Sequence, residues 1–167
     1  FTGQSEAAIG LGHRNNAFRA DHISLHNIEL DGSTPGSVDG VRGRGDFFLV
    51  DSCYVHDYRL NASETHPDGI QLFSGEDFVV RYSVFENNGA HMMLSERTWG
   101  VELVQNAEIY YNVFRNDPGV SGPYMGIHFT NGISPIVERG KHVHMYNNVF
   151  DLANDSGRGF DKPINLT

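Results

Sequence analysis

The chain has 167 residues, 39% apolar and 20% charged, which is long enough for a sizeable buried core and ordinary for a soluble protein. Lys and Arg number 12 against 21 Asp and Glu, a formal charge of −9, which argues against nucleic acid or an anionic membrane as partner. No apolar run approaches the roughly 18 residues of a membrane span, and the single Cys53 excludes an internal disulfide.

Nineteen glycines among many Asn and Asp predict a fold with many tight turns. The chain opens on Phe1 with no signal-peptide pattern, as expected of a mature or excised product. Sequons at Asn61, Asn154 and Asn165 are as well explained by chance in so Asn-rich a chain.

In chain order, "AIGLGH" at 8–13 reads as a strand of a first, truncated coil. Five segments then share one pattern of apolar and polar positions: "ISLHNIEL" from Ile23, "FFLVDSCY" from Phe47, "FVVRYSVF" from Phe78, "AEIYYNVF" from Ala107 and "VHMYNNVF" from Val143. Aligned on those residues, the next columns are Leu25/Leu49/Val80/Ile109/Met145, then Ile28/Ser52/Ser83/Asn112/Asn148, then Leu30/Tyr54/Phe85/Phe114/Phe150. The starts lie 24, 31, 29 and 36 residues apart. Such a period, carried by β-branched and aromatic residues, predicts stacked strand-containing repeats. Helical repeats would sustain i, i+3, i+4 spacing over about ten residues, whereas here alternation lasts about four before a polar turn. The Ser/Asn column predicts an internal ladder of hydrogen bonds at a bend.

A second strand follows each repeat: "DGVRG" at 39–43, "DGIQL" at 68–72, "AHMML" at 90–94 and "MGIHF" at 125–129. Period-two alternation turns Val41, Ile70, Leu72, Met92, Leu94, Ile127 and Phe129 inward. Arg42, Gln71, Met93 and His128 face outward, with Gly40, Gly69, His91 and Gly126 beside them.

This coil pattern resembles the right-handed parallel β-helix of the pectin-lyase-like superfamily over residues 7–167. The expected fold is therefore all-β, a solenoid of five to six coils forming a single domain over 1–167. No amphipathic capping helix is visible at either end, which a fragment of a longer helix or end-to-end self-association would explain.

Loops carry function on such a scaffold, and the insertions at 55–67, 95–106, 115–124 and 130–141 all flank the second strand. Its outer face is expected to form the floor of a walled groove bearing Arg42, Gln71, His91 and His128, with His66 and Asp68 at the rim. The resemblance implies polysaccharide chemistry on a uronate polymer, where removal of the proton α to a carboxylate needs a base and a group that neutralises the carboxylate. Base and acid candidates are His66, His91, His128 and Tyr124. Candidates for carboxylate contact are Arg42, Gln71, Arg81 and Arg97. Asp39 and Asp68 are equivalent in adjacent coils, about 4.8 Å apart, and could share a Ca²⁺ ion or a proton. His22, His26, His56, His142 and His144 fall on the other strand or its turn and read as structural or solvent-facing.

Polygalacturonase-like glycosidases resemble the chain at "HPDGIQL" but need an acidic pair one coil on, where this sequence reads "ENNGAHMML". His66-Pro67-Asp68 reverses the Asp-Pro-His of alginate epimerases, and calcium-binding Gly-Gly-x-Gly-x-Asp repeats are absent. The resulting expectation is a secreted, extracellular or periplasmic polysaccharide lyase acting on an anionic polysaccharide by β-elimination. A uronan C5-epimerase and a non-catalytic glycan-binding, adhesive or tailspike-like segment are the alternatives.

Overall fold

A computed structural model describes residues 7–11, 20–34, 38–59, 67–96, 104–117, 125–131, 143–152 and 164–166. The elements recur in a fixed rotation. After β1 (Ala7–Leu11) come β2 (Ser24–His26), β3 (Glu29–Asp31) and β4 (Asp39–Arg44), then β5 (Phe48–Asp51), β6 (Tyr54–His56) and β7 (Asp68–Glu76). The next passage is β8 (Phe78–Arg81), β9 (Val84–Glu86) and β10 (Ala90–Glu96). It is followed by β11 (Val104–Gln105), β12 (Ala107–Tyr110), β13 (Val113–Asn116) and β14 (Met125–Asn131), and by β15 (Val143–Tyr146), β16 (Val149–Leu152) and β17 (Ile164–Leu166).

All pairings are parallel. The first sheet runs β1-β4-β7-β10-β14-β17 with β11 beside β7, the second β2-β5-β8-β12-β15, the third β3-β6-β9-β13-β16. Each passage through the three sheets is one coil. Among the described residues the chain is all-β without a helix, an arrangement compatible with a parallel β-helix.

The core is built from columns of like residues. Leu25, Val50, Val80 and Ile109 line the inner face of the second sheet, and Leu30, Val55, Phe85 and Phe114 that of the third. Phe114 stacks between Phe85 and Phe150 at centroid distances of 5.1 and 4.9 Å. On the first sheet Val41, Ile70, Met92 and Ile127 are in register and buried, as the alternation predicts.

The predicted polar ladder exists at the bend between the second and third sheets. Ser83 Oγ accepts from Cys53 N at 3.0 Å, Asn112 Oδ1 from Ser83 N at 3.0 Å, and Asn148 Oδ1 from Asn112 N at 3.0 Å. Its second rung is Cys53, not Ser52. The repeat beginning "FFLV" is set one residue later than the sequence alignment has it: Phe48, Val50, Cys53 and Val55 occupy the columns. Phe47 is 50% exposed and Ser52 is exposed, because a one-residue slip turns every side chain to the other face.

The corners are made by left-handed residues. His22, Phe47, Asp77 and Asn106 hold positive φ before the second sheet, and Asn27, Ser52, Tyr82, Tyr111 and Asn147 after it. Gly75, at φ 140°, answers a tighter need: a Cβ there would meet the carbonyl oxygen of Gly45 at 1.8 Å.

Candidate functional site

Of the residues expected at the groove, Arg42, Gln71 and His128 occupy one row on the outer face of the first sheet, with Met93 between Gln71 and His128. Gln71 and Met93 are nonetheless buried, and the Gln71 amide donates to Met93 Sδ at 3.1 Å. The Arg42 guanidinium lies 5.3 Å from the Phe73 ring centroid and 3.4 Å from Asp39 Oδ2. Asp39 and Asp68 do sit in adjacent coils, both buried, and Asp39 Oδ1 accepts from the Asp68 amide at 2.9 Å. Asp39 thus serves the backbone of the next coil and an arginine.

Two residues lie elsewhere. His91 was placed on the outer face by alternation, yet it is fully buried, 5.9 Å from the Phe114 ring and 3.3 Å from Asn88 Nδ2. It follows the left-handed corner at Asn87, and its Nδ1 meets the side chain of Asn88 beside that corner. Burial pushes the imidazole down to about 3, so it stays neutral, and among the described residues its Nε2 has no hydrogen-bond partner. Arg81 projects from β8 in the second sheet and is committed to Asp51, at 2.7 Å, and to Tyr110 Oη, at 3.3 Å. His66, Arg97 and Tyr124 lie outside the described residues. Among the described residues, His128 is the one imidazole on that outer face.

Charged groups converge instead on the outer face of the third sheet and the corner that follows it. Parallel pairing sets His56 of β6 directly beside Asp31 of β3, with Glu29 two residues earlier on the same face. The His56 ring stacks on Tyr54, with centroids 4.1 Å apart, and is largely buried by its neighbours. Its Nε2 lies 3.1 Å from Glu29 Oε1; its Nδ1 lies 2.9 Å from Asp57 Oδ2 and 3.9 Å from Asp31 Oδ1. Asp57 turns the chain at φ 61°, which brings its carboxylate back against the ring, and Arg59 pairs with its other oxygen.

The electrostatics follow from this geometry. Burial alone lowers the His56 pKa, but hydrogen bonds to Asp57 and Glu29, with the charge of Asp31, outweigh it and raise the imidazole above its ordinary value. Asp57 is also partly buried, and the His56 and Arg59 bonds hold it below the usual carboxylate range. Asp31 is lowered by hydrogen bonds from Ser33. One ligand atom each from Asp31, His56 and Asp57 lie within 4.8 Å of one another. Ligand atoms about 2.1 Å from a zinc-sized ion stand about 3–4 Å apart, so a small contraction would close the set on a metal.

From the sequence His56 reads as structural or solvent-facing. Two signals were available: the acid pair Glu29-x-Asp31 and the His56-Asp57 dipeptide in equivalent positions of adjacent coils. The register slip hid them, because the uncorrected alignment puts Asp31 beside Val55 rather than His56.

No family model matches the chain, and no solved structure matches it. Among curated proteins it is similar to ferredoxin–NADP reductase 2 of Listeria innocua, 26% identical over 118 residues, 68% of this chain and 31% of that protein. The chain thus spans about a third of the relative it matches. That relative is an oxidoreductase by name, and it overturns the expectation of a polysaccharide lyase. The geometry is in keeping with this correction: of the imidazoles expected to work together, His91 is enclosed in the core while His128 is on the outer face.

Proposed function

We propose that this chain is a metal-binding module, with Asp31, His56 Nδ1 and Asp57 as ligands to a divalent ion of the zinc or manganese type. The observation that carries the reading is the pair of carboxylates on opposite sides of the His56 ring. Nδ1 faces Asp57 and Asp31, while Nε2 faces Glu29 at 3.1 Å. A metal-bound imidazole commonly gives its other N–H to a carboxylate, which fixes the tautomer and strengthens the ligand, and Glu29 stands where that role requires. One imidazole with two carboxylates suits borderline and hard divalent ions. The scaffold that supports this reading is, we infer, a right-handed parallel β-helix of the pectin-lyase-like kind, in keeping with the repeat and the three parallel sheets.

Calorimetric titration with Zn²⁺ and with Mn²⁺ tests the site. Saturable binding at one site per chain is expected, with loss in His56→Ala and weakening of about 10–100-fold in Glu29→Gln. No saturable binding by either ion, or equal binding by His56→Ala, rejects the site.

The similarity to the Listeria reductase supports a second reading, that the chain is a component of an oxidoreductase. Its test is NADPH consumption with an artificial electron acceptor. A rate no higher than that of buffer with acceptor alone would sink it.

A further inference from the structure

The bend between the second and third sheets is occupied by left-handed residues in every coil described, at Asn27, Ser52, Tyr82, Tyr111 and Asn147. Asparagine tolerates this conformation, but tyrosine rarely adopts it, and a bulky residue held there calls for a reason. Tyr82 and Tyr111 hold φ of 51° and 54° in adjacent coils. Their rings lie parallel within 4° at a centroid distance of 5.4 Å. They are 54% and 49% exposed, and neither hydroxyl has a hydrogen bond among the described residues.

The neighbouring pair differs. Tyr110 and Tyr146 stack at 4.9 Å, but the Tyr110 oxygen accepts from the Arg81 guanidinium at 3.3 Å. The same guanidinium also lies over the Tyr82 ring, 5.8 Å from its centroid, but of the two phenol oxygens it hydrogen-bonds only that of Tyr110 and leaves that of Tyr82 open to solvent. Tyr82 and Tyr111 therefore combine what radical coupling needs: two accessible phenols, oxygens without a hydrogen bond among the described residues, and parallel rings 5.4 Å apart.

We propose that Tyr82 and Tyr111 form an oxidative cross-linking site, joined as dityrosine by a one-electron oxidant of the heme peroxidase class with hydrogen peroxide as terminal acceptor. Each phenol loses one electron and one proton. The two phenoxyl radicals form a single carbon–carbon bond between their ortho positions, and the two displaced ring hydrogens shift to the oxygens to restore aromaticity. The two electrons and two protons released reduce one hydrogen peroxide to two waters. The product ties one coil to the next by a covalent bond across the bend.

The test is treatment of the dilute full chain with a heme peroxidase and hydrogen peroxide. The expected result is blue dityrosine fluorescence on monomeric protein, at a rate per molecule unchanged by dilution. A digest should contain the peptides of Tyr82 and Tyr111 joined, two hydrogens lighter than their sum. Tyr111→Phe, which keeps a ring in the stack, should lose that product, while Tyr146→Phe should keep it. Coupling only between molecules, coupling of Tyr110 to Tyr146 instead, or no coupling while free tyrosine in the same solution reacts would each overturn the proposal. The peptide map of the unsubstituted chain decides this even if Tyr111→Phe fails to fold.

Discussion

His91 has exchanged water for the ring of Phe114, while His56 has exchanged it for three carboxylates, and the two imidazoles respond to pH in opposite senses. The folded pKa of His91 lies at about 3, below the ordinary 6.5, so the unfolded chain takes up the proton first on acidification. Above pH 6.5 the neutral ring adds no pH dependence, and stability declines as the pH falls below that value towards the folded one. His91→Phe should flatten that acid slope in denaturant melts taken below pH 6.5; an unchanged slope would exclude His91 as its source. His56 has a raised pKa, so its contribution is complete below the unfolded value and is lost as pH rises through the folded one. A metal at Nδ1 requires the neutral ring, so affinity for Zn²⁺ should weaken on acidification, beginning at a higher pH than for a free imidazole.

At the scale of elements, the bend after the second sheet concentrates stability in few residues. Asn112 is buried and makes three bonds: it accepts from Ser83 N, and its amide donates to the Val80 carbonyl at 2.8 Å and to Asn148 Oδ1 at 3.1 Å. Removal of the amide strands a backbone N–H and a carbonyl inside the fold, each costing about 1–3 kcal/mol. Asn112→Ala should thus lower unfolding stability by about 3 kcal/mol in urea titrations, and a loss under about 1 kcal/mol would show that water replaces the ladder. The corner before the second sheet explains the register error. Phe47 and Phe48 are adjacent and equally apolar, so composition cannot choose between them. The structure chooses Phe48, which packs edge-on against Phe78 at 6.1 Å, and leaves Phe47 at the left-handed corner, stacked on His22 at 4.5 Å. Local alternation favours either face; only the neighbouring coil breaks the tie.

For the molecule as a whole, the repeat was legible because stacking like on like leaves columns in the sequence. The aliphatic and aromatic columns, the Ser/Asn ladder, the second strand and the partial strand at the start of the chain all appear in the three parallel sheets. The site was far less legible. Arg42, Gln71 and His128 share a face as the alternation requires, but His91 is buried against Phe114 and the Asn88 amide. The His56 cluster depends on Asp31 and Glu29, residues about 25 positions away, and on a turn at Asp57 that folds its carboxylate back on the ring. The sequence by itself determined the period, the strand character and the apolar columns, since these are properties each coil repeats. The tertiary structure alone decided the register of the second repeat, the burial of His91 and the meeting of His56 with its carboxylates. Those depend on how one coil seats on the next, and a one-residue choice there reverses which side chains meet water.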